Sequence, residues 1–250
     1  MNERLLRLLG NLSNRHYRNK TGLSIVEGLR CCREAALHLP DCIQFYFCTE
    51  SFASSSSFIS LPSTPPIILN DSQFSSLSET ETPQGVIFVI KSPVLAPATR
   101  LSTPFTLVLD NVSDPGNMGT ILRTAWAVGL DAVWLVKGSC SPFSPKCLRS
   151  GMGAQFSLSI HVFDSLFHAV STARELGTTE VWCTLPGCGI SLYDKDFVLF
   201  NSTLIIGNEA NGISNPSVGR AVTIPMPGHA ESLNAAQAAT VFLVDSLRPR

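Results

Sequence analysis

"LDNVSDPGNMGTILRTA" (residues 109–125) decides how the second half of this chain is read. The apolar run "FTLVLD" (105–110) reads as a buried strand. "NVSDPGN" (111–117) turns the chain, because Pro115 fixes one φ angle and Gly116 permits the next. Asn117 is then placed as the N-cap of a helix over 118–128, with Arg123 on that helix. A strand, a tight turn and a helix in succession form the unit from which parallel sheets are built. The turn is neither a Gly-x-Gly-x-x-Gly dinucleotide loop nor a phosphate loop ending in Gly-Lys-Ser/Thr. That weakens two common functions of α/β proteins.

The same rhythm continues outward. Strand candidates fall at 105–109, 132–136, 181–184 and 203–206, and helix candidates at 118–128, 164–176 and 234–247. This alternation predicts an α/β domain with a mostly parallel sheet and helices on both faces. Ligands of such sheets gather beyond the carboxyl ends of the strands. Two further unusual loops follow strands. In "LIIGNEANGIS" (204–214) the strand runs into Gly207, and two glycines around Glu209 let the backbone approach a ligand closely. Glu209 is either an acceptor that orders its loop or an acid/base group. In "IPMPGHAESLNAAQAATVFLVDSLR" (224–248) two prolines and a glycine extend the chain before a helix. Ser232 and Asn234 are good caps, and the small residues at 235, 236, 238 and 239 let another backbone pack closely. His229 has no second ligand nearby, so no metal site is expected.

The first 90 residues read as a smaller α/β unit. Leu5, Leu8, Leu9 and Leu12 share one face of a helix over 3–12. "NRHYRNKTG" (14–22) reads as a basic, irregular connector. Strands follow at 23–28, 43–49 and 85–90, with a helix at 29–38. Residues 51–64 hold seven serines and read as a surface loop, and the proline-rich stretch 91–104 as a linker.

Net charge is −1, but its distribution is uneven. Residues 1–34 carry seven of the eighteen Lys and Arg, among them Arg15, Arg18 and Lys20, and none falls between 35 and 90. A basic end on a neutral chain is a footprint for nucleic acid or simply a solvated face. The eight cysteines include no C-x-x-C pair, which argues against zinc. The N-terminus lacks an apolar signal core, and no apolar run approaches the ~20 residues that span a bilayer. A cytoplasmic protein with free thiols is the expectation.

Each loop alone is a weak signal; the three in this order are not. The chain resembles the SpoU (TrmH-like) branch of the SPOUT RNA methyltransferases. "NVSDPGNMGTILRTA", "IIGNEANGIS" and "IPMPGHAESLNAAQAA" look like that family's three motifs, and "RSGMGAQFSL" (149–158) and "TPQGVIFVI" (82–90) also look familial. "RHYRNKTGLSIVEGLR" (15–30) is similar to the opening of the family's L30e-like substrate-binding domain. The resemblance implies an RNA-binding domain over 1–98 and a catalytic domain over 99–250, the latter with a C-terminal trefoil knot. It implies transfer of a methyl group from S-adenosylmethionine to a ribose 2′-hydroxyl of RNA, with 23S ribosomal RNA favoured over transfer RNA, by a homodimer. A member that binds RNA without catalysis is the rival. Carried over by position, the catalytic residues are Asn117, Arg123, Glu209, Ser232 and Asn234. The cofactor-contacting residues are Gly207, Ile224, Met226 and Leu233, and Arg15, Arg18, Lys20 and Arg123 contact RNA.

Overall fold

The computed structural model describes residues 9–248. These form two compact units. One takes in the chain up to Val94 together with Pro142–Ser157; the other takes in Leu95–Ser141 and the chain from Leu158 onward. The division therefore differs from a single boundary near residue 98, because 142–157 folds with the first unit.

In the first unit the elements are α1 (Arg15–Thr21), β1 (Leu23–Glu27), α2 (Leu29–His38), β2 (Ile43–Thr49), α3 (Glu50–Ala53), β3 (Ile67–Leu69), α4 (Asp71–Ser75) and β4 (Val86–Lys91). The strands make a mixed sheet in the order β1-β4-β2-β3. Leu9 and Leu12 join its core with Ile25, Phe47, Phe74 and Ile87; Leu5 and Leu8 lie outside the described residues. The stretch expected to be an irregular connector is instead α1. Asn14 accepts hydrogen bonds from the amides of His16 and Tyr17 at one end, and Gly22 takes the left-handed conformation at the other. Both caps were in view in the sequence; the missing apolar periodicity hid the helix between them. The Ser-rich stretch begins inside α3 and is irregular beyond it.

Buried Glu27 organises much of this unit. Its carboxylate accepts from Ser78, from Thr80 Oγ1 at 2.8 Å and from the Glu79 amide at 3.1 Å. Arg149, from the helix Pro145–Gly151 of the inserted segment, pairs with Glu79 at 3.0 Å.

The second unit contains β5 (Thr106–Leu109), α5 (Pro115–Ala127), β6 (Ala132–Val136), β7 (Ser159–Phe163), α7 (Leu166–Glu175), β8 (Val181–Thr184), β9 (Ile190–Ser191), β10 (Thr203–Ile206), β11 (Arg220–Thr223) and α8 (Ala235–Asp245); the first-unit helix Pro145–Gly151 is α6 in chain order. Seven strands pair in the order β7-β6-β5-β10-β8-β11-β9, every pair parallel. The central strands are buried on both faces and so read as unbroken apolar runs. Alternate residues sort the helices. Val108, Trp134, Val181, Cys183 and Ile205 face α7 through Ala169, Val170 and Ala173. Trp182 points the other way, where its ring meets Phe197, which in turn meets Phe242 of α8. Three strands of this unit escaped the sequence reading, as β3 did in the first. β7 is a half-exposed edge, β9 has two residues, and β11 has Val222 as its one buried residue, so none presents an apolar run.

Candidate active site

The site begins where β5 and β10 end side by side. Leu109 pairs with Ile206, and the Asp110 amide donates to the Ile206 carbonyl at 2.8 Å. Loops 110–114 and 207–214 therefore leave the sheet together. The first enters α5, whose cap is Asp114 rather than Asn117: the Asp114 carboxylate accepts from the Asn117 amide at 2.9 Å, and Pro115 occupies the first turn. A better acceptor three residues earlier takes the capping role, which leaves the Asn117 side chain free for something else.

That side chain joins three loops. Glu209 Oε1 accepts from Asn117 Nδ2 at 2.9 Å and from the Asp114 amide at 3.2 Å. Glu209 Oε2 accepts from the Ser113 amide at 3.1 Å and from Ser113 Oγ at 2.9 Å, and Asn208 Nδ2 lies 3.4 Å away. Asn117 Oδ1 accepts from Asn234 Nδ2 at 3.1 Å. Asn234 Oδ1 caps α8, accepting from the amides of Ala236 at 2.8 Å and Gln237 at 3.4 Å. A carboxylate only accepts and backbone amides only donate, so the two ends fix which way both asparagines point. The chain runs one way, from the α8 N-terminus through Asn234 and Asn117 to Glu209. Each asparagine keeps one N–H for a ligand.

Partial burial disfavours the charge on Glu209, but the hydrogen bonds from Asn117 and from the backbone of its own loop and of 113–114 prevail and hold its carboxyl below the ordinary 4.5. Glu209 is accordingly an ionised, well-supplied acceptor and a weak base.

Beside this chain lies a cavity of about 450 Å³. Its walls come from the ends of β8, β10 and β11, from the loops after them, and from the start of α8. Gly207, Glu209, Ile224, Met226, Ser232, Leu233 and Asn234 all line it. Leu185, Pro186, Ile206 and Val222 supply apolar wall. Among the lining residues Glu209 is the one ionisable side chain. Gly207 is there for space: a Cβ would stand 2.4 Å from the Gly212 carbonyl carbon and the Ile213 nitrogen. Among the described residues the amides of Gly207, Ile224, Met226 and Leu233 donate to no partner, so several N–H groups are spare along this wall.

Other expected residues are placed differently. Ser232 is exposed on the cavity rim and caps nothing. Arg123 is exposed on α5, outside the cavity lining, and makes no hydrogen bond or ion pair with the described residues. Its neighbour Thr124 faces Thr240 of α8 at 3.4 Å. In the first unit Arg15 and Lys20 are exposed, but Arg18 is buried. Its guanidinium donates to the carbonyls of Leu12 at 2.9 Å and Ser13 at 2.6 Å, and burial lowers its pKa. Arg18 therefore belongs to the fold of α1 and not to an RNA surface. Among the described residues no cluster of three His, Cys, Asp or Glu could hold a metal ion, and no helix is long and apolar enough to cross a membrane. Among the described residues no cysteine forms a disulfide. Asp110 and Asn208 escaped the sequence reading. An acid just after a buried strand, as Asp110 is, was the available signal.

Comparison with known proteins accords with this geometry. Residues 104–244 match the model of the SpoU rRNA Methylase family, and residues 3–87 match the MRM3-like substrate binding domain. The chain is 36% identical over 179 residues to the 23S rRNA (guanosine(2553)-2′-O)-methyltransferase RlmP of Bacillus subtilis, covering 70% of each chain. It is 27% identical over 304 residues to the human mitochondrial rRNA methyltransferase 3, covering 98% of this chain and 72% of that one. The solved SpoU methyltransferase AviRb from Streptomyces viridochromogenes, in complex with AdoMet, superposes with a TM-score of 0.82 at 28% identity, covering 98% and 97% of the two chains. With the family model spanning more than half of its length, the chain belongs to the SpoU rRNA Methylase family.

Proposed function

We propose that the protein methylates a ribose 2′-hydroxyl of ribosomal RNA, 23S ribosomal RNA by preference, using S-adenosylmethionine. The observation that carries this reading is the one-way hydrogen-bond chain Asn234–Asn117–Glu209 on the rim of a cavity with spare backbone amides. The cavity suits the cofactor chemically. Its spare N–H groups match ring nitrogens, its apolar wall matches a flat base, and a single carboxylate matches a ligand of net positive charge. Gly207, Ile224, Met226 and Leu233 would hold it. When bound, the cofactor supplies a methyl group already activated on a sulfonium.

The protein's remaining task is to orient a poor nucleophile and stabilise the charge that grows on it. The free N–H groups of Asn117 and Asn234 point donors at that place. Glu209 fixes both and contributes a negative field; five donors already surround its carboxylate, so it is not the proton acceptor. Arg123, always protonated, grips a phosphate beside the target ribose and steadies the developing oxyanion. Its exposed, unpartnered guanidinium supports this role.

In the same reading, the first unit, with 142–157 folded into it, is an L30e-like RNA-binding domain and the second unit the catalytic domain. Exposed Arg15 and Lys20 meet RNA, with Arg18 withdrawn. β10 lying between β5 and β8 supports a C-terminal trefoil knot. Eight cysteines without a disulfide among the described residues fit a reducing compartment, the cytoplasm by preference. Exposed Tyr193, Val244 and Leu247 support a homodimer, which sedimentation will show as twice 27.0 kDa; a monomer at micromolar concentration removes it.

The test is transfer of labelled methyl from S-adenosylmethionine to unmodified ribosomal RNA and, separately, transfer RNA. Label is expected in ribosomal RNA, with a loss on the order of 1,000-fold for Arg123→Ala, the scale of a lost charge-stabilising group. Arg123→Lys is expected to recover little, because an ammonium lacks the bidentate fork; near-full activity would contradict the phosphate-gripping role. Label in transfer RNA alone reverses the substrate preference. Failure to bind the cofactor would favour a non-catalytic RNA-binding member.

A further inference from the structure

One buried charge beside the site has no part in the mechanism above. Asp110 closes β5 and is fully buried, and among the described residues no cation pairs with it. Burying an unpaired carboxylate is expensive, and such groups are kept where their hydrogen bonds hold something in place. Asp110 Oδ2 accepts from the Ser214 amide at 2.6 Å. Its Oδ1 accepts from Asn111 Nδ2 at 2.8 Å. Ser214 is the far root of the loop that carries Glu209. The near root is tied to the same place: Asn208 Nδ2 donates to the Asn111 carbonyl at 2.8 Å. Asn208 Oδ1 accepts from the amides of Ala210 and Asn211, both at 2.9 Å, while the backbones of Asn208 and Gly212 bridge across the loop. Asn111 is held in a left-handed conformation at φ 58°, with its side chain against Gly138, where a Cβ would stand 2.0 Å from Asn111 Oδ1. Both roots of the 207–214 loop therefore hang from residues 110 and 111.

We propose that Asp110 is a positioning residue, pinning the far root of the 207–214 loop so that Glu209 meets Ser113, Asp114 and Asn117. Asn208 pins the near root. The proposal rests on the functional reading above only for its kinetic arm; its structural arm stands without it. The other titratable group facing Asp110 is the Cys183 thiol, which burial, with a smaller contribution from Asp110, pushes up to about 11. It stays neutral across the range used below.

The experiment replaces Asp110 by Asn and follows the Glu209 side-chain carboxyl by carbon NMR, assigned against Glu209→Gln, together with kcat and the KM for cofactor and RNA. An asparagine presents an NH2 group to either the Ser214 amide or Asn111 Nδ2, so one tie becomes donor against donor. In the wild type Glu209 titrates below 4.5, its direction set by the donors it receives. In Asp110→Asn the titration is expected to rise toward 4.5, with kcat falling on the order of 100-fold, the scale of an angstrom of misplacement. A titration that stays put overturns the proposal, whether kcat falls or not, and so does a kcat within threefold of wild type. If Asp110→Asn does not fold, Ser214→Pro, which removes the amide that Asp110 Oδ2 holds and none of the five donors to Glu209, decides by the same titration: a rise supports the clamp, and no change overturns it. An inactive wild type with a rising titration refutes the functional reading and leaves the clamp standing.

Discussion

Asn117→Asp is expected to lose at least ~1,000-fold in methyl transfer at neutral pH, about 4 kcal/mol in the barrier, and to be worse than Asn117→Ala. The alanine variant removes one donor from Glu209 and one acceptor from Asn234. The aspartate keeps the acceptor for Asn234 but places a second carboxylate oxygen where Nδ2 stood, 2.9 Å from Glu209 Oε1. Two carboxylates at that separation cannot both stay ionised without a large cost, and one takes up a proton as its pKa rises. The sign of the pH dependence follows. As pH falls, the pair binds a proton, the neutral acid donates to the remaining carboxylate, and the missing hydrogen bond is partly restored. Asn117→Asp should therefore show an activity optimum shifted to lower pH than the wild type, while Asn117→Ala should not. A pH–rate profile for the three proteins checks both points. Equal or higher activity of the aspartate at neutral pH would mean that Asn117 is not a donor to Glu209 in the working enzyme.

This dependence on one hydrogen-bond direction shows where the sequence was legible. The ranges 132–136, 181–184 and 203–206 could be read off directly, because strands buried on both faces take apolar side chains at successive positions, here interrupted only by a threonine at one end of two of them. The edge strands at 159–163 and 190–191 carry no such demand and left no run to read. At the site, clusters of Gly, Asn and Pro marked all three loops, two of them just after strands that could be read and the third after β11, which could not. Those residue types mark a loop because of what the backbone needs, whatever the loop does. What was not legible is partnership. Asn117 reads as a cap until Asp114 is seen to take that place. Arg18 reads as part of a basic patch until its guanidinium is found against two carbonyls. Asp110 reads as the polar end of a strand, because its partner Ser214 is 104 residues away. Residue type predicted the chemistry available at each position; pairing across long separations decided which of it was used.

Gly207→Ala is expected to abolish measurable cofactor binding, a loss of at least ~100-fold, or about 2.7 kcal/mol. The cause is space. The added Cβ would meet the Gly212 carbonyl carbon at 2.4 Å, the Ile213 nitrogen at 2.4 Å and the Gly212 oxygen at 2.6 Å, all of them backbone. A flexible side chain could swing aside; a backbone crossing held by the Asn208–Gly212 bridge must open. Opening moves Asn208 and Glu209 at one end of the loop and the cavity wall at Ile206 and Gly212 at the other. Overpacking of this kind costs ~1–3 kcal/mol of stability, which lowers the melting temperature by roughly 2–12 °C in a chain of this size. Gly228→Ala is the matched control, since nothing lies within 4 Å of its Cβ position. Calorimetric titration with S-adenosylmethionine and a thermal melt on each protein separate the outcomes. Loss of binding with a modest drop in melting temperature fits a loop that must cross itself tightly to form the cofactor wall. Binding within threefold of wild type would mean that the wall is built elsewhere, and the assignment of the cavity to the cofactor would fall with it.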